Sequence, residues 1–263
     1  MKQIWNGSRS IEKSRREYLL WVLSAATFII FFQAYMVAQL IPKLALLFNA
    51  PQQRIGLIVP AYLIPYGIAT LFYGLLSDRI GPMRIIFLSL LAFAVLTGLT
   101  AGASSVSGLI VWRLLTGLVA SGVIPIALAL TGQLFSYEER GRPWGWLFGA
   151  MAGGSAFGSI LGVTLEPIMG WKVLFLVITT VGFVLSGPLW LAFQRTTLPG
   201  KGGSISLPMV LRGYYGLLSQ VWGLRTYGFL FGNALFQAAL TIASLNLFKY
   251  EKRVLKIELV IEV

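Results

Sequence analysis

The 263 residues are 57% hydrophobic and only 11% charged, with no cysteine, no histidine and a formal net charge of +12. This excludes a water-soluble domain, which needs a charged surface to stay dissolved, and any disulfide framework, thiolate metal site or histidine-based chemistry. The basic excess forms no stripe along a helix but sits in loops between apolar blocks, so nucleic acid is not an expected partner.

Each apolar block is long enough to cross about 30 Å of hydrocarbon at about 1.5 Å per residue. In chain order the spans are Tyr18–Pro42, Ile55–Ser77, Pro82–Ala103, Gly108–Phe135, Pro143–Ile168, Trp171–Phe193 and Thr226–Phe248. The fold class is therefore an all-α polytopic membrane protein with the lipid bilayer as its solvent. No short h-region with a small-residue cleavage site opens the chain, so the first block reads as a retained span.

Basic residues alternate by side. Lys2, Arg9, Lys13, Arg15 and Arg16 precede the first span, Arg79 and Arg84 follow the second, and Arg140 and Arg142 follow the fourth. Arg195, Lys201, Arg212 and Arg225 follow the sixth, whereas the opposite side carries only Lys43, Arg54 and Lys172 before the tail. The bias places the N-terminus and the loop after span six in the cytoplasm of an inner-membrane, multi-pass protein.

The organisation expected is a six-helix transmembrane domain at 1–193, a cytoplasmic linker at 194–225 and, at 226–263, a seventh span and tail. Pro199, Gly200, Gly202, Gly203 and Pro208 mark the linker. The β-branched ending Val254–Val263 reads poorly as a membrane helix, and a truncation or an altered frame after about Ser244 would explain it.

Several positions stand out along the spans. At the end of span two, Gly74 would admit a neighbouring helix, Asp78 can pair with Arg79, Arg84 or a neighbour, and Gly81 suits a turn with positive φ. An ordinary polar hairpin is the plainer reading. Arg113, inside span four, costs about 2.5–3.5 kcal/mol to insert and so must find a partner, a cavity or the aqueous edge. Snorkelling is its plainer alternative, and no Asp or Glu lies well inside the first six spans. Gly154, Gly158 and Gly162 recur every fourth residue in span five, a flat face for backbone contact. Gln33, Tyr35 and Gln39 in span one, Tyr62 and Tyr66 in span two, and Asn233 and Gln237 in span seven are candidate cavity-facing groups. Pro60, Pro65 and Pro125 interrupt helical hydrogen bonding.

Gly74, Leu76, Asp78, Arg79 and Gly81 resemble the signature between spans two and three of the major facilitator superfamily, although Pro82 and Met83 stand where two basic residues are usual and Arg84 comes one place late. Arg113 through Gly117 looks like the fourth-span signature of the drug:proton antiporter branches, with Thr116 replacing a frequent glutamine. Tyr137–Gly141 and Gly170–Phe175 are similar to the loop before span five and the start of span six. The glycine stripe is similar to the span-five antiporter signature, with Ser159 for the proline and Val163 for the last glycine. The first span lacks the acid common in several drug-efflux groups, and Gln33 lies in that vicinity.

The resemblance implies the six-helix N-terminal bundle of the major facilitator fold plus a seventh span. It implies a cytoplasmic gate motif at Gly74, Asp78, Arg79, Gly81 and Arg84, and transport or coupling roles for Arg113, Gln33, Tyr66 and Asn233. The expected function is proton-coupled efflux of a small organic solute, with a missing C-terminal half or a homodimer completing the gate and no cofactor or metal. A non-transporting membrane remnant is the competing reading, a channel a third; no enzyme is expected, for want of histidine, cysteine or paired intramembrane carboxylates.

Overall fold

A computed structural model of the chain describes residues 2–195 and a few isolated positions between 216 and 228. The chain divides into two compact units, Met1–Gly203 and Ser204–Val263, and every helix with described bounds belongs to the first. Asn233, Gln237 and, but for Gly228, the expected seventh span lie outside the described residues.

In hydrocarbon each backbone N–H and C=O must be satisfied within the chain, which leaves the helix as the spanning element. The helices are α1 (Lys2–Gln39), α2 (Ile41–Leu47), α3 (Gln52–Gly56), α4 (Pro60–Ile80), α5 (Pro82–Ala101), α6 (Val106–Ala120), α7 (Ile124–Leu134), α8 (Gly141–Met169) and α9 (Trp171–Arg195). Among the described residues six segments are long and apolar enough to cross a membrane: Ser14–Gln39, Gln52–Ile80, Pro82–Ala101, Val106–Leu134, Tyr137–Met169 and Trp171–Ala192. They fall on the first six spans read from the sequence.

The second and fourth spans are each two helices rather than one. A turn at 57–59 separates α3 from α4, and a turn at 121–123 separates α6 from α7. The breaks stand just ahead of Pro60 and Pro125, which occupy the first turns of α4 and α7. Proline lacks the N–H that an unbroken helix would need and is tolerated only where the first turn has no intrahelical partner anyway. Between α4 and α5 the chain turns on Gly81 at φ 103°, whose N–H donates to the Ser77 carbonyl at 2.8 Å. Gly170, at φ 78°, makes the equivalent turn from α8 into α9.

The helices pack chiefly as three pairs, α1 with α8, α4 with α6 and α5 with α9, and each pair meets at a glycine. A Cβ added to Gly154 would meet the Phe28 carbonyl, one on Gly158 the Phe32 carbonyl, and one on Gly162 the backbone and side chain of Met36. Glycines four residues apart on α8 thus lie on residues four apart on α1. Their numbers rise together, so the two helices run parallel. At the α4–α6 crossing a Cβ on Gly117 would collide with the Tyr62 carbonyl. At α5–α9, Gly98 faces the Thr179 side chain and Gly182 faces Ala94, in the descending order of an antiparallel pair.

The α1–α8 pair is also tied near its ends. Arg142 donates to both carboxylate oxygens of Glu17, at 2.8 and 2.6 Å, and Trp21 and Trp146 lie beside this pair with ring centroids 4.4 Å apart. Near the other end Lys43 of α2 stands 4.0 Å from Glu166 of α8.

Because the obstacle at Gly158 is backbone and not a movable side chain, Gly158→Ala should force the helices apart and cost about 1–3 kcal/mol. Gly149→Ala, with nothing among the described residues within 4 Å of its new Cβ, should melt at or slightly above the wild type. Thermal melts of the detergent-purified protein decide it: equal melting points for Gly158→Ala and wild type would show that the contact is not tight.

Candidate functional site

The helix α6 starts at Ser105, whose side-chain oxygen accepts the Gly108 N–H at 3.1 Å. Arg113 lies seven residues beyond Val106, about 10 Å along the axis, and is 1% exposed. One turn further along the same face, Gly117 presses against the backbone of Tyr62. That close approach sets α6 on α4 and brings the Arg113 guanidinium over the Tyr62 ring, 4.2 Å from its centroid.

Two hydrogen bonds complete the shell. Arg113 Nη1 donates to Gln33 Oε1 at 2.7 Å and Nε to the Ile58 carbonyl at 3.3 Å. The Ile58 carbonyl is available because the helix breaks there: the Tyr62 amide, its partner in an unbroken helix, donates to Val59 instead. Arg113 therefore joins α1, α4 and α6 through one side chain.

No carboxylate pairs with Arg113 among the described residues. Taking a guanidinium out of water costs several kcal/mol even after relaxation. Hydrogen bonds to a charged group return about 1.5–3 kcal/mol each, and a desolvated cation–π contact about 2. The terms are of similar size, so the cation can be held, but its charge is not cancelled. Gln33 and Tyr62 are 0% and 2% exposed, and Gln33 Nε2 and the Tyr62 hydroxyl have no hydrogen-bond partner among the described residues.

The other expected site residues are more dispersed. Tyr66 is half-buried and stacks on Tyr62, ring centroids 5.9 Å apart, so the two form one aromatic pair, with Tyr62 turned into the interior of the bundle. Tyr35 and Gln39 are exposed. Gly74, Asp78, Arg79 and Arg84 are exposed near the basic end of α4 and α5, and Gly81 supplies the turn between these helices. Nothing lies within 4 Å of a Cβ on Gly74, so the helix expected to approach it is not among those described. Asp78 and Arg79 form no ion pair among the described residues. Gly154, Gly158 and Gly162 lie in the α1–α8 contact.

Two features of the cluster escaped the sequence reading. Ile58 contributes through its backbone, which no side-chain search finds, although Pro60 two residues on signals freed carbonyls. Tyr62 stood out as a polar aromatic but not as the partner of Arg113; only the contact made at Gly117 joins them.

Residues 23–261 match the Major Facilitator Superfamily. The chain belongs to that family. Among its relatives is a tetracenomycin C resistance and export protein of Streptomyces glaucescens, 28% identical over 196 residues, which is 70% of this chain and 36% of that protein. A Bacillus subtilis (strain 168) protein named for niacin/nicotinamide transport is 27% identical over 150 residues, 57% of this chain and 36% of its own. The fold matches the crystal structure of a bacterial homolog of the human lysosomal transporter Spinster, inward-facing and unoccupied, at a TM-score of 0.67 and 17% identity. That match covers 78% of this chain and 48% of the other. The chain thus spans 36% of the length of both relatives. Major facilitator proteins are transporters, not enzymes, and this one is a polytopic membrane protein of that family.

Replacing Gln33 with leucine removes one of the two acceptors of a buried charge. Gln33→Leu should cost about 1.5–3 kcal/mol, read as a lowered melting temperature in detergent. An unchanged melting point would mean that the Arg113–Gln33 bond contributes nothing to the fold.

Proposed function

We propose that this six-helix bundle serves as one half of a secondary transporter that exports a small organic solute in exchange for protons across the inner membrane. The observation carrying the reading is the Arg113 cluster. One buried cation bonded into α1, α4 and α6 couples the helices that such a transporter must move together when its halves rock about a central site. Export as the direction is favoured by the name of the Streptomyces relative, and proton coupling by the likeness of Arg113 to the antiporter signature. Gln33 and Tyr66 belong to the same unit. Asn233 is proposed to add a polar group from the second half.

In this reading residues 1–193 form the first domain, 194–225 a cytoplasmic linker and 226–263 the beginning of a second domain. The opposing half comes from a longer chain or from a second copy. The exposed Asp78 and Arg79 then meet it at the cytoplasmic side, with Gly81 and Arg84 shaping that turn and Gly74 admitting a helix of the other half.

The absence of native cysteine makes orientation directly testable with single substitutions at exposed serines. Ser107→Cys should react with a membrane-impermeant maleimide in intact cells, and Ser136→Cys only after permeabilisation. The opposite pattern would invert the topology. Everted vesicles holding the full protein and energised to an acid interior should release protons when the transported solute is added. Arg113→Ala should lower that response at least about tenfold, more than about 1.4 kcal/mol of coupling, with membrane insertion unchanged. Solute flux that persists after the gradient is collapsed would remove proton coupling. Correct insertion with no flux of any solute would favour the remnant.

A further inference from the structure

We infer that the Arg113 cluster is an anion-recognition site and that the solute presents a carboxylate to it. The inference rests on the transport reading above and adds the substrate class. Arg113, Gln33 and Tyr62 converge in the interior of the bundle, each 2% exposed or less. The cluster carries one positive charge and no negative one among the described residues. Its two polar groups that lack a partner among the described residues, Gln33 Nε2 and the Tyr62 hydroxyl, are both able to donate. A charged donor beside two neutral donors, with only neutral acceptors supplied, is complementary to an oxyanion.

Gln33 is the specificity-determining residue. Its Oε1 now occupies the Arg113 Nη1 donor at 2.7 Å. The last torsion of glutamine is broad and roughly two-fold, so the amide can turn over. Its oxygen then leaves the guanidinium to the incoming anion, and Nε2 donates to that same anion. A glutamate at this place would neutralise Arg113 from within and repel the ligand. The side chain is thus a neutral placeholder that a carboxylate displaces. Tyr66, the half-buried end of the aromatic pair that continues from Tyr62, is the more exposed neighbour of the cluster. Its ring adds an apolar face for the body of the solute.

A carboxylate near Arg113 has two possible sources, the solute or an acidic side chain of the opposing half, and the experiment separates them. The full transporter is purified in a non-ionic detergent, and its melting temperature is followed with benzoate, acetate, benzyl alcohol and benzylamine at matched ionic strength. Benzoate should raise the melting temperature saturably, acetate more weakly, and the alcohol and amine not at all. Gln33→Glu should melt higher than the wild type without ligand and lose the benzoate response. Arg113→Gln should weaken the half-saturating concentration by at least about tenfold. No response to either carboxylate would overturn the inference, since Arg113 would then already be neutralised within the protein. An equal response to benzyl alcohol, or a benzoate response that survives Gln33→Glu, would overturn it too. The two proposals can fail separately: carboxylate binding without flux removes transport and leaves the site, while Arg113-dependent flux of a cation without carboxylate binding does the reverse.

Discussion

Helices dissolved in lipid gain little by hiding apolar side chains from one another, since the acyl chains are as apolar as the partner. What holds them is contact between backbones close enough for dispersion and weak polar forces to add up. Gly117 against Tyr62, and Gly154, Gly158 and Gly162 against Phe28, Phe32 and Met36, are where that contact is made here. The position of the arginine follows from it. Were α6 held further from α4 by even one methyl group, the guanidinium would lose its seat over Tyr62 and its reach to the Ile58 carbonyl.

The arginine in turn sets the chemistry of the interior. It is the only buried charged residue among the described ones, and its partners are an amide, a peptide carbonyl and an aromatic face. Neutral partners solvate a cation without extinguishing its field, which in a dry region reaches further than it would in water. A carboxylate at position 33 would have closed the charge balance inside the bundle. Glutamine leaves it open.

The six spans, their order and the glycine turn at Gly81 could be read from the chain, because length, apolarity and permissive φ are properties of local sequence. The stripe on span five was equally visible, but not the identity of the helix lying on it. Partner choice depends on the three-dimensional register of Phe28, Phe32 and Met36, and those residues look like any other apolar positions. The breaks in spans two and four were signalled by Pro60 and Pro125 as interruptions, though not as full separations into two helices. Gly74 reads like the buried glycines of α6 and α8, yet it faces open space among the described residues. A glycine announces that an approach is permitted and does not say that one occurs. Arg113 was legible as needing company; that its company would be Gln33, a backbone carbonyl and Tyr62 required the fold.

The ties near the two ends of the α1–α8 pair bear on how the bundle can change shape. Glu17 grips Arg142 in a two-pronged bond, Lys43 stands beside Glu166 near the opposite end, and the glycine seam runs between. A rod clamped at one tip and fused along its middle resists sliding and twisting between its strands, so α1 and α8 travel as a single lever. Bending is then left to places where the hydrogen-bonded ladder is already broken, the turns ahead of Pro60 and Pro125. The first of these is the stretch whose carbonyl grips Arg113, so flexing at that joint and loosening of the buried cation are one mechanical event.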